Sequence, residues 1–183
     1  MDQDKLRNAA WNHHRSGRLK EAEAHYRELI ENARYGIKLE VSDAINLGGL
    51  LRQQGRLKEA INHYKEMLDE CPRENQLRAN AINCYIEAKR LDEALQIGLT
   101  GLSNKEEKDH GKLLEAHGRV LLARRDYKKA KLIYDEIIQK DKNSLDGLLG
   151  LGQTYDGLSC HKKALTIFQR IMIDIKKIRS DFP

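Results

Sequence analysis

The chain has 183 residues, 33 basic and 28 acidic, with a formal net charge of +5; 40% of its side chains are hydrophobic and only 5% aromatic. Charges of both signs are interspersed, and the densest basic stretch (Arg124, Arg125, Lys128, Lys129 and Lys131) is broken by Asp126, so no nucleic-acid footprint is expected. No run reaches membrane-span length, the Met1-Asp2-Gln3-Asp4-Lys5 start is polar with no apolar stretch, and three scattered cysteines (Cys71, Cys84 and Cys160) outline neither a zinc site nor a disulfide framework. A cytoplasmic protein with reduced thiols, no cofactor and no membrane contact is expected.

Two prolines, Pro72 and Pro183, and abundant Ala, Leu, Glu, Lys and Arg favour helix. In chain order, apolar periodicity predicts helices over 2–15 and 18–33, 40–54 and 57–70, 74–88 and 91–103, 107–124 and 127–140, and 144–157 and 160–179. The first pair carries Gly17-Arg18-Leu19-Lys20-Glu21-Ala22 with Tyr26 four residues on, and the second carries Gly55-Arg56-Leu57-Lys58-Glu59-Ala60 with Tyr64. The third has Ala94 and Gly98, the fourth Ala130 and Tyr134, the fifth Ala164 and Phe168; the alanines lie 38, 34, 36 and 34 residues apart. Asn32 to Ile37 and Asn104 to Asp109 are expected to absorb the extra residues as longer connections. Alanine allows the second helix of a pair to cross the first closely, and the aromatic is expected to fill the gap to the next pair. A matching slot on the first helices holds Ala10, Gly48, Ile82, Gly118 and Gly152. Recurrent glycine inside a helix, costing about 1 kcal/mol against alanine each time, points to close packing.

These phrases, Leu47-Gly48-x-x-Leu51 with Ala60, Tyr64 and Pro72 above all, resemble the tetratricopeptide repeat family. The resemblance covers roughly residues 2–175. It implies an all-α, right-handed superhelical solenoid of antiparallel helix pairs. One such solenoid is expected over 1–183, with repeats at about 3–36, 41–74, 75–108, 111–144 and 145–178 and a helical extension at about 173–180. It also implies a non-catalytic scaffold that binds a protein or peptide partner along a concave groove lined by the first helices.

On that face, Asn8, Asn46 and Asn80 recur two residues before the small slot. An amide both donates and accepts, so such a ladder can hold an extended peptide backbone, as asparagines do in peptide-binding members of the family. Helical projection adds Arg7, Trp11, Arg52, Asn83 and Arg119 as groove residues, with Trp and Arg the usual anchors of binding energy. The alternative for Trp11 is a cover over the join between the first two units. The two-carboxylate clamp of tetratricopeptide co-chaperones is not reproduced: Trp11, Gln76 and Asn80 stand where it has asparagine, lysine and arginine. No phosphate loop, nucleophile elbow or metal spacing occurs. His117 reads as a core residue, and the carboxylates, set among lysines and arginines, are expected at ordinary pKa values. A second functional reading is a substrate-recruiting N-terminal segment of a glycosyltransferase- or sulfotransferase-like enzyme. A third is a homodimer through a C-terminal stripe of Ile171, Ile175 and Ile178.

Overall fold

A computed structural model describes residues 2–103 and 110–181, with side chains through Lys176. Among the described residues there are ten α-helices and no strand. They are α1 (Gln3–Arg15), α2 (Leu19–Arg34), α3 (Val41–Gln53), α4 (Leu57–Glu70), α5 (Asn75–Glu87), α6 (Leu91–Leu102), α7 (His110–Ala123), α8 (Tyr127–Lys140), α9 (Leu145–Gly157) and α10 (His161–Asp181). Local chemistry sets several ends. Asp2, Asp126 and Ser144 accept from the backbone N–H of Asp4, Lys129 and Gly147, capping α1, α8 and α9. The turns inside the first two pairs use Gly17 and Gly55 at φ of +75° and +74°; Lys89, Arg125 and Ser159 adopt the same left-handed conformation in the other three.

One boundary differs from the sequence reading. Asn32 and Ala33, where the expected helix and the expected connection overlap, belong to α2 together with Arg34; the connection begins at Tyr35 and turns at Gly36 with φ +91°. The connection expected at Asn104 to Asp109 lies outside the described residues.

Each second helix packs on its own first helix and on the first helix of the next pair, while α3, α5, α7 and α9 pack along one another. The odd-numbered helices therefore line the inner face and the even-numbered ones the outer face. The repeat alanines, Ala22, Ala60, Ala94, Ala130 and Ala164, are all buried. The aromatic does more than fill the gap to the next pair. A Cβ on Gly48 would lie 2.2 Å from the Tyr64 ring, one on Gly118 2.7 Å from Tyr134, and one on Gly152 2.6 Å from Phe168. Each aromatic thus sits on the glycine slot of its own unit. Tyr134 also reaches the following unit, since a Cβ on Gly150 would come within 2.1 Å of its ring.

The third unit reverses the sizes. Ile82 occupies the small slot and Gly98 the aromatic one. The space over Gly98 is taken by His117 of α7, whose Nδ1 would meet a Gly98 Cβ at 2.3 Å. His117 is buried, as its sequence register implies, with Nδ1 lacking a hydrogen-bond partner among the described residues. Burial lowers its pKa, and burial likewise lowers that of His63, whose Nε2 lies 2.7 Å from the Ala44 carbonyl and so donates to it. Both rings favour the neutral form in the folded chain, so the unfolded chain takes up the proton first. Their contribution is complete above the ordinary histidine value of about 6.5 and is lost as pH falls below it. Thermal melts are therefore expected to weaken between about pH 7.5 and pH 5.5. Replacing His117 with Leu, the residue type that Leu47 and Leu151 place at the equivalent position, should reduce that slope; an unchanged slope would remove His117 as a contributor.

Candidate groove on the inner face

The inner face is built by columns of equivalent residues on the odd-numbered helices. The column immediately after the small slot reads Trp11, Gly49, Asn83, Arg119 and Gln153. Two cavities open onto it. One, of about 370 Å³, spans three units and is lined by Arg52 of α3, Asn83, Ile86 and Glu87 of α5, and Arg119 of α7. The second, of about 180 Å³, lies between α7 and α9 and shares Arg119, adding Glu115, Tyr134, Asp146, Leu149, Gly150 and Gln153. Arg119 therefore joins them. Three residues expected in the groove, Arg52, Asn83 and Arg119, meet at one place although 67 residues separate the first from the last.

Arg52 approaches Glu87 at 3.5 Å with both side chains partly solvated, a geometry that contributes little and leaves the guanidinium available. Arg119 is exposed and, among the described residues, makes no hydrogen bond or ion pair. Glu115 departs from the ordinary carboxylate value: burial pushes its pKa up, Asp146 adds to the rise, and Arg119 opposes it. Arg119 thus stands between the Arg52–Glu87 pair on the α3 side and the carboxylates Glu115 and Asp146 toward α9.

The other expected residues are dispersed. Arg7 is engaged: its Nε lies 3.0 Å from both carboxylate oxygens of Asp43, its second terminal nitrogen bonds Asp43 at 3.0 Å, and the first reaches Asp4 at 2.9 Å. This fork ties α1 to α3, and Asp43 is almost fully buried beneath it. Trp11 is 49% exposed with the Arg15 guanidinium stacked 4.5 Å from its ring centre, so a large part of the indole stays uncovered. Asn8 is exposed on α1. Asn46 borders a cavity of about 490 Å³ at the N-terminal ends of α3 and α5, with Lys38, Glu40, Ser42 and Gln76. Asn80 donates its amide to the Gln76 carbonyl of its own helix at 2.8 Å. The three asparagines therefore present different surroundings.

Residues 51–114 match the family model of the tetratricopeptide repeat. That segment carries tetratricopeptide repeat sequence. Its fold agrees with a tetratricopeptide repeat protein from Parabacteroides merdae, at TM-score 0.74 and 21% identity over 95% of this chain and 67% of that one. It agrees with the MamA protein at TM-score 0.70 and 13% identity over 98% and 94%. It also agrees with nearly identical kinesin-light-chain repeats from Podosopora anserina at TM-score 0.71 and 11% identity over 96% and 95%. No curated protein matches the chain. At these identities the likeness establishes the fold, a right-handed solenoid of tetratricopeptide helix pairs.

Within this tetratricopeptide array the sequence reading missed Asp43. The signal was available by column: Asp43 stands where the other units have Lys5, Leu77, Leu113 and Gly147, so it is the one acid at a position that in three units is apolar or glycine. Among the described residues no group of His, Cys, Asp and Glu is arranged to hold a metal, and no helix is long and apolar enough to cross a membrane. Cys84 is buried with its thiol pushed up to about 11, the direction opposite to a reactive thiolate.

Proposed function

We infer that the inner face is a docking groove for an extended segment of a protein partner, centred on Arg52, Asn83 and Arg119. The observation that carries this reading is their convergence, from three units, on one cavity with an apolar floor at Ile86 and no ion-pair partner for Arg119 among the described residues. A guanidinium offers five donors and no acceptor. Asn83, able both to donate and to accept, suits a peptide bond, while the arginines suit acidic or carbonyl groups. Asn46 and Trp11 extend the groove toward the first unit. Asn8 and Arg7 lie at its N-terminal edge, where Arg7 serves the repeat junction through Asp43.

A random-peptide library displayed on phage and selected against the wild-type chain tests this. Selected peptides should lose about tenfold or more in affinity on Arg52→Ala or Arg119→Ala, consistent with loss of a hydrogen bond to a charged group. Substituting Leu132, exposed on the outer helix α8, should leave binding unchanged. Peptides insensitive to both arginines, or sensitive to Leu132, would overturn the assignment.

A further inference from the structure

The smaller inner-face cavity, between α7 and α9, gathers negative charge that its surroundings leave unpaired. Two carboxylates line it, Glu115 of α7 and Asp146 of α9, and neither makes a hydrogen bond or ion pair among the described residues. Glu115 is partly buried. Arg119 lines the same cavity and Lys112 acts on Glu115 from nearby, yet burial and Asp146 hold the Glu115 pKa above its ordinary value against both cations. The pairing is particular to this junction. The same two positions at the earlier junctions read Arg7 and Ser42, Ile45 and Gln76, and Ala79 and Lys112.

The floor of the cavity is unpartnered as well. Tyr134 lines it and is 2% exposed, and its hydroxyl has no hydrogen-bond partner among the described residues. Tyr64, its counterpart in the second unit, donates to the Ile45 carbonyl at 3.1 Å. The residue equivalent to Ile45 is Glu115, and Tyr134 does not make that bond. Its hydroxyl responds to the cavity instead: burial raises its pKa most, Arg119 opposes, and Glu115 and Asp146 add to the rise.

Two carboxylates and a phenol oxygen suit an ammonium, which offers three donors and no acceptor. A cavity of about 180 Å³ fits this compact head better than a planar guanidinium. The methylene stem of a lysine can lie along Leu149, which borders the cavity and is 43% exposed. A neutral side chain would strip the carboxylates of water without pairing them, and an acidic one would be repelled. Arg119 does not fill the role itself; it is exposed and also lines the neighbouring cavity with Arg52.

On the premise that the inner face is a docking groove, we propose that this cavity is its lysine subsite: a lysine of the docked segment places its ammonium between Glu115 and Asp146, against the Tyr134 hydroxyl. The segment then carries an acidic or carbonyl group for Arg52 and Arg119, followed toward α9 by a lysine.

Parallel selection of a random-peptide phage library on the wild type and on the double variant Glu115→Gln, Asp146→Asn tests this. Wild-type peptides should share a lysine at one fixed position, and the variant's peptides should not. In a synthetic wild-type-selected peptide, replacing that lysine with norleucine should weaken binding to the wild type by about tenfold, and to the double variant by less than about twofold. Tyr134→Phe should weaken the lysine peptide by about threefold with an unchanged melting temperature, since the lost hydroxyl has no partner in the folded chain. Peptides that lack a fixed lysine but still need Arg52 and Arg119 overturn the subsite and leave the groove standing. So does a norleucine loss equally large in the double variant. Peptides insensitive to Arg52→Ala and Arg119→Ala overturn the groove, and the subsite with it.

Discussion

Tyr134→Ala is expected to cost about 3–5 kcal/mol of folding stability, the range for removing a large buried aromatic. The ring is 2% exposed. It rests on Gly118 of its own unit and reaches Gly150 of the next, so one deletion opens a cavity on both sides of the α8 helix. Neither side can close by rotamer change, because glycine has no side chain to move. In a repeat protein stability is a sum of unit and junction terms, so the junction between the fourth and fifth units should weaken selectively and unfolding should lose its single sharp transition. The midpoint should fall by roughly 10 °C for a chain of this size. The reciprocal change, Gly150→Ala, places a methyl 2.1 Å from the same ring and should also destabilise. Urea melts of both variants check this, with exposed Tyr35→Ala as the neutral control. A loss below about 1 kcal/mol for Tyr134→Ala would mean the ring is not what holds the junction.

Asp43→Ala is expected to cost about 2–3 kcal/mol, below the range for breaking a fully buried pair because the Arg7 side chain keeps 29% of its surface in water. Removing the carboxylate leaves a guanidinium with its fork unfilled at the edge of the first junction. It also removes the negative charge that, after burial, raises the pKa of the buried Tyr26 hydroxyl. The column supplies the repair: Leu77 and Leu113 hold the equivalent place in other units, so Arg7→Met with Asp43→Leu should regain most of the loss, as apolar replacements of buried ion pairs often do. A double-mutant cycle should show coupling above about 1 kcal/mol. Additive single effects would show that the two side chains act independently.

The repeat was legible because its spacing is imposed by backbone geometry. Alanines at 34 to 38 residues and glycines in a fixed slot can be read from one chain, and the helix limits followed within a few residues wherever described. The reversal in the third unit was hidden because Ile82 and Gly98 each look like a weak match until His117, from another helix, is seen filling the space between. The carboxylate reading failed at Glu115 for a similar reason: its burial and its closeness to Asp146 arise from the packing of α7 on α9. In the groove, projection placed Arg52, Asn83 and Arg119 on one face but could not say that they line one cavity, which depends on the angle between successive units. It also could not see that Arg7 would be consumed by a buried aspartate. Of the expected α10 stripe, Ile171 is buried and Ile175 exposed, a difference set by how α10 packs on α9 and not visible in one helix read alone; the Ile178 side chain lies outside the described residues.

The inner groove can be tested most directly by hydroxyl-radical footprinting of the chain with and without a selected peptide. Leu149 lines the inner cavity and is 43% exposed, while Leu99 and Leu132 are exposed on the outer helices α6 and α8. Bound peptide should protect Leu149 and leave Leu99, Leu132 and the α10 residue Met172 as reactive as before. Protection of Leu99 or Leu132 with Leu149 unchanged would place the partner on the outer face and contradict the groove.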